Sequence, residues 1–179
     1  MEHPTPQRIV AARVNEFTLC TSLLLDAGHT LPALIILFTA VDIFGSLLRA
    51  ETEADTAGKY FKKWVDDYML GHSQVSFTAQ DLWGARCGLL HTHTATSRLS
   101  REGAARELHY YRGSPPPGME QILRSLEHKG KLFVDVVALN RAFSDGAHRF
   151  LEDLDRSPDL AKRVQHHAPR VFGSWTNVG

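Results

Sequence analysis

The sequence predicts a mainly α-helical bundle, and three observations carry that expectation. Apolar residues recur three and four apart over long stretches, the period of one face of a helix. Thr-Pro, Thr-x-Pro and Thr-Ala-Gln-Asp segments stand where such stretches begin, as helix N-termini require. Only two short runs, around 108–111 and 131–134, read as strands.

The first helix should run from about Pro6 to Asp26, with Thr5 as N-cap and Pro6 in its first turn. Val10, Val14, Phe17, Thr21 and Leu24 form its stripe, and Gly28 stops it. Thr30 then caps a second helix with Pro32 in its opening turn, running to about Arg49. It is apolar almost all round, as befits the middle of a bundle. Its segment Leu31–Leu48 approaches the length of a membrane span. Asp42 and Gly45 near its end, and the cost of a charge in lipid, point instead to burial in a protein core.

After a polar connection over Ala50–Thr56, a third helix spans about Ala57–Leu70, with Phe61, Trp64, Val65, Tyr68 and Met69 inward. Gly71–Phe77 is a loop, and Thr78 caps a fourth helix that packs through Trp83, Cys87 and Leu90. Past His93 the pattern fails. Residues 98–113 are locally basic, setting Arg98, Arg101, Arg106 and Arg112 against Glu102 and Glu107. Three prolines in Ser114–Gly118 make a turn or linker. A short helix over Met119–Glu127 and a second strand at Lys131–Val134, pairing with 108–111, complete an irregular insertion. The last long helix covers about Val136–Asp155. Ser157-Pro158 opens one more short helix, and the tail from Pro169 is loose or docked through Phe172 and Trp175. All 179 residues read as one domain, with the core in about 6–155 and a short C-terminal helix and tail in 156–179.

Charge narrows the function. Twenty basic residues balance twenty acidic ones. A protein that grips nucleic acid mainly by neutralising phosphates carries a basic excess, so any nucleic acid must be held by a local patch. Cys20 and Cys87 lie in apolar helical patterns, as inert core thiols do. With no paired framework and no signal segment after Met1, a cytoplasmic setting is expected.

The fourth helix ends Arg86-Cys87-Gly88-Leu89-Leu90-His91. Residues five apart differ by roughly 140° around a helix. The pair therefore shares a pocket only if the helix loosens at Gly88 or ends near His91. Histidine can take the proton of a 2′-hydroxyl or give one to a leaving oxygen. Arginine holds a phosphate in a fork and stabilises its developing charge. Together they suit metal-independent RNA cleavage to a 2′,3′-cyclic phosphate and a 5′-hydroxyl. A surface arginine beside a helix-end histidine is the plainer alternative.

The segment DLWGARCGLLHTHTATS, with VDIFGSLLR at 41–49 and YFKKWVDDYML at 60–70, resembles the HEPN superfamily (higher eukaryotes and prokaryotes nucleotide-binding domains) over roughly residues 10–155. Arg86-x4-His91 matches that family's arginine, four to six residues, histidine motif. The resemblance implies a HEPN-like bundle of four to five long helices, commonly a homodimer, with Arg86 and His91 catalytic in an endoribonuclease of a bacterial defence or toxin–antitoxin setting. An antitoxin protein would then be a partner. Cys87 departs from the pattern, since catalytic members commonly carry a polar residue after the arginine. A non-catalytic module that binds nucleotide or RNA, or dimerises, is the alternative within the same fold.

Other residues enter as support. Asp42, alone in an apolar helix, must find a partner, either Arg86 or His91 in the site or a structural donor. Cys87 can act beside His91 or stand in the core. Ser97, Arg98 and Arg101 can touch phosphate or stand solvated in a loop. His91, His93, His72 and His109 raise a metal-binding reading, but His-x-His with no acidic or cysteine ligand at a metal spacing argues against it. No cofactor or metal is expected.

Overall fold

The computed structural model describes residues 5–53, 58–72, 75–113, 119–127 and 129–173. Among them the chain forms a mainly helical bundle with one two-stranded sheet. Helix α1 spans Pro6–Asp26, and Thr5 caps it by accepting from the Arg8 amide. Val10, Val14, Thr21 and Leu25 are its buried residues, so Leu25 rather than Leu24 ends the stripe.

Helix α2, Thr30–Ser46, begins one residue differently from the sequence expectation: His29 is the N-cap, and its side chain makes no capping bond. It also stops short of Arg49. The Arg49 side chain folds back, and its Nε donates to the Ser46 carbonyl at 2.7 Å, satisfying a helix-end acceptor. Gly45 lets α2 meet the third helix closely, since a Cβ there would lie 2.8 Å from the Tyr60 carbonyl oxygen. No helix among the described residues is long and apolar enough to cross a membrane.

Helix α3, Gly58–Trp64, continues into a π-helical turn over Val65–Met69 and a 3-10 turn over Leu70–His72. The widened turn keeps Trp64, Val65, Tyr68 and Met69 all buried. Arg149 donates from Nε and Nη2 to the Tyr68 carbonyl, at 3.1 and 2.7 Å, so this loosened stretch has a partner.

Helix α4, Ala79–Thr92, opens on a full capping box between Thr78 and Asp81. Its buried face is Leu82, Ala85 and Leu89, whereas Trp83, Cys87 and Leu90 are only half-buried. The helix is thus rotated by about one residue from the face its larger side chains suggest. Asp81 explains the rotation: only 4% exposed, it faces inward to accept from the Arg106 amide, Nε and Nη2. That ion pair draws the chain ahead of the sheet against the start of α4.

Residues 98–101 form a one-turn helix, α5 (Arg98–Arg101), in place of the loop expected there. Strand β1 (Glu107–Tyr111), helix α6 (Met119–Glu127) and strand β2 (Lys131–Asp135) follow. The strands pair in parallel, Glu107 with Lys131 through Tyr111 with Asp135, and α6 is the crossover that parallel pairing demands. The proline run at 114–118 lies outside the described residues.

Helix α7 is Val136–Arg156, capped by Asp135, and α8 is Pro158–Phe172, capped by Ser157. The short C-terminal helix expected from the sequence is in fact fifteen residues long and passes through Pro169. Leu160, Val164, Ala168 and Phe172 bury it in the main core, so the core extends well past residue 155. Proline removes the donor that would bond the Gln165 carbonyl, and Gln165 stands on the exposed side of the helix. Trp175 lies outside the described residues. At the centre, Phe44 meets Phe17, Trp64, Phe143 and Phe150 at ring distances of 5.8–6.5 Å.

His167 ties α8 to the end of α2. It is 4% exposed, with Nε2 donating to the Ala50 carbonyl at 3.2 Å and Nδ1 facing Arg49 Nη2 at 3.4 Å. Arginine only donates, so Nδ1 accepts and the ring is neutral. Burial holds its pKa below the ordinary value of 6.5, and the Arg49 and His166 charges add to that. The unfolded chain therefore binds a proton that the folded chain refuses, and stability must fall as pH drops below about 6.5. His167→Gln should flatten the melting-temperature profile between pH 7.5 and 5, removing a slope of at most about 1.4 kcal/mol per pH unit. Parallel profiles for the two proteins would refute this linkage.

Candidate functional site

The capping box fixes the start of α4, and its end is set by His93, which caps it in the left-handed conformation at φ 54°. The chain then doubles back. A Cβ on Gly88 would lie 2.7 Å from the Thr94 carbonyl oxygen, so glycine is what lets the returning strand of chain lie on the helix. Gly88 therefore does not loosen α4, which continues through Thr92.

Arg86 and His91 meet nonetheless. Arg86 Nη1 lies 3.2 Å from His91 Nε2. The reach of the arginine side chain closes the angle between the two positions. Arg86 Nε and Nη2 both hold Asp42 Oδ2 at 2.7 Å, across from α2. The guanidinium also lies 5.1 Å from the centre of the Trp83 ring, a cation–π contact from the preceding turn. One fork thus engages a carboxylate, an imidazole and an indole. Arginine is donor-only, so His91 presents Nε2 as an acceptor in this arrangement.

Exposure differs along the cluster. The Arg86 and Asp42 side chains are 20% and 28% exposed, while His91 is exposed. Burial between α2 and α4 pushes the Asp42 pKa up, more than the Arg86 hydrogen bond and the Arg86 and His91 charges pull it down. Asp42→Asn should keep one acceptor for Arg86 but remove the counter-charge. The expected loss is about 1.5–3 kcal/mol of unfolding free energy, the range for hydrogen bonds to charged groups. A urea titration of the variant checks it, and an unchanged midpoint would show the pair to be energetically idle.

The remaining sequence candidates sit elsewhere. Cys87 is a half-buried free thiol on α4 that makes no hydrogen bond among the described residues. Ser97 is 5% exposed and caps α5, accepting from the Ser100 amide while Ser100 Oγ accepts from its own amide. Its hydroxyl is thus a structural cap, out of reach of a phosphate. Arg98 is 77% exposed and 3.8 Å from Glu102, and Arg101 is exposed on the same turn. His109 stacks on Phe133 across the sheet. Among the described residues, no group of three or more His, Cys, Asp or Glu is placed to hold a metal.

Periodicity assigns Phe61 and Trp83 to packing, and Tyr60, beside Phe61 on α3, adds a third ring. These aromatic side chains and Ser46 line a cleft of about 200 Å³ against Asp42, Arg86 and Gly58. The signal available was the spacing Trp83-x2-Arg86, which sets an aromatic ring and a cation on neighbouring helical positions. Compared with known proteins, the chain matches no protein-family model, no curated protein and no solved structure.

Proposed function

We propose that the chain is a metal-independent endoribonuclease of HEPN type, acting in the cytoplasm as a homodimer. The observation that carries this reading is the 3.2 Å approach of Arg86 Nη1 to an exposed His91 Nε2, with the guanidinium anchored by Asp42. As Arg86 Nη1 turns from His91 to the phosphate, the freed His91 Nε2 takes the proton of a 2′-hydroxyl while O2′ attacks phosphorus. The P–O5′ bond breaks, and the departing 5′-oxygen takes a proton from water or from the histidine of a second copy. Arg86 meets the non-bridging oxygens, where charge builds. Asp42 positions Arg86 and takes no part in proton transfer.

A second reading is favoured by how fully Arg86 is engaged. With three of its nitrogens on Asp42 and His91, it also suits a binding or dimerisation module of the same fold that holds a phosphate without turnover. Incubation with single-stranded RNA, beside Arg86→Ala and His91→Ala and with and without a chelator, separates the two. Cleavage to cyclic-phosphate ends that needs both residues and ignores the chelator supports the nuclease. Equal or absent cleavage in all three proteins removes it. RNA binding without turnover supports the module. An antitoxin protein that covers His91 belongs to the toxin–antitoxin setting proposed for either form.

A further inference from the structure

The cleft beside Arg86 has a polarity that its shape alone does not reveal. Ser46 Oγ spends its proton on the Ile43 carbonyl at 2.6 Å. Tyr60 Oη spends its proton on the Glu53 carboxylate. Asp42 accepts from Arg86 through Oδ2, and its Oδ1 accepts no hydrogen bond among the described residues. Asp42, Ser46 and Tyr60 therefore bring three oxygens with lone pairs to offer and no proton to give, while Arg86 is the donor of the same lining. Tyr60, Phe61 and Trp83 supply flat apolar walls. At about 200 Å³ the space is smaller than the ~300–1,000 Å³ of a site for a whole drug-sized ligand, and suits one planar ring system.

We infer that this cleft is a guanine-base subsite. Guanine sets N1–H and N2–H2 side by side, two donors that match a carboxylate and neighbouring acceptors, next to O6, an acceptor for Arg86. Adenine and cytosine set a ring acceptor beside their amino group, and uracil flanks its single N–H with two carbonyls. Each of those edges leaves acceptor facing acceptor, the mismatch that polar sites reject most strongly. The base comes from RNA if the ribonuclease reading holds, on which that source rests, or from a free guanine nucleotide.

The test is titration calorimetry of the full chain with 3′-GMP, 3′-AMP, 3′-CMP and 3′-UMP, and with the trinucleotide UpGpU. The subsite predicts 3′-GMP binding about tenfold or more tighter than the other three mononucleotides. Ser46→Ala and Tyr60→Phe, verified as folded by circular dichroism, should each reduce that preference severalfold. Tighter binding of UpGpU than 3′-GMP assigns the base to RNA, and equal binding assigns it to free nucleotide. Equal affinity for all four mononucleotides, or a preference unaltered in both folded variants, overturns the subsite. The two proposals fail separately. Guanine preference without RNA cleavage keeps the subsite and drops the nuclease, while cleavage without base preference does the reverse.

Discussion

Replacing His91 with alanine is expected to lower RNA cleavage by about 10²–10⁴-fold, the usual contribution of a positioned acid or base. Arg86→Ala should cost about 10²–10³-fold through lost stabilisation of the phosphoryl charge. The double variant should be little worse than the stronger single one, because residues that act as a unit are not additive. Stability distinguishes the two positions. His91 is at the surface, so its removal should shift unfolding free energy by no more than about 0.5 kcal/mol. Arg86 is mostly buried and its loss strands Asp42, so Arg86→Ala must be assayed per folded molecule. Arg86→Lys is the sharper control. An ammonium cannot hold Asp42 Oδ2 on two nitrogens while a third nitrogen meets His91. Lysine should therefore fail despite keeping the charge. Cleavage by His91→Ala at the parental rate would end the enzymatic reading outright.

How far residues reveal structure depended on where the deciding interaction lay. Thr5 and Thr78 were readable as caps because capping is local, settled within three residues. The rotation of α4 was not, because it is settled by Arg106, twenty-five positions away from Asp81. The π-helical turn in α3 is likewise supported by Arg149 from α7. The length of α8 was hidden by Pro169, which signals a break until the exposure of Gln165 is known. At the site, the motif named two residues that the structure does bring within 3.2 Å of each other. Spacing let them meet only if α4 loosened at Gly88 or ended near His91. The helix stays intact at Gly88 but ends at Thr92, one residue past His91, and the long arginine side chain spans the rest. The cleft was illegible for a related cause: Tyr60, Phe61 and Trp83 recur at core spacing, and only the placement of Asp42 and Ser46 beside them makes their wall polar.

The largest stability loss is expected from Phe44→Ala, at about 3–5 kcal/mol. Phe44 is fully buried on α2, where rings from α1, α3 and α7 converge on it. Neighbours held by their own helices cannot collapse into the space it leaves, which places the cost toward the top of that range. For a chain of this size each kcal/mol moves the melting temperature by about 2–4 °C, so a fall of roughly 10 °C or more should be seen. Phe44→Leu retains much of the volume and should lose clearly less. The same substitution reaches the site, because Asp42 stands two residues earlier on α2 and depends on that helix to face Arg86. If the site forms as described, Phe44→Ala should weaken guanine-nucleotide binding even at temperatures where the protein stays folded, and Phe44→Leu should not. A loss below about 1 kcal/mol in urea would mean that the aromatic cluster does not hold α2 in place, and Asp42 would then need some other anchor.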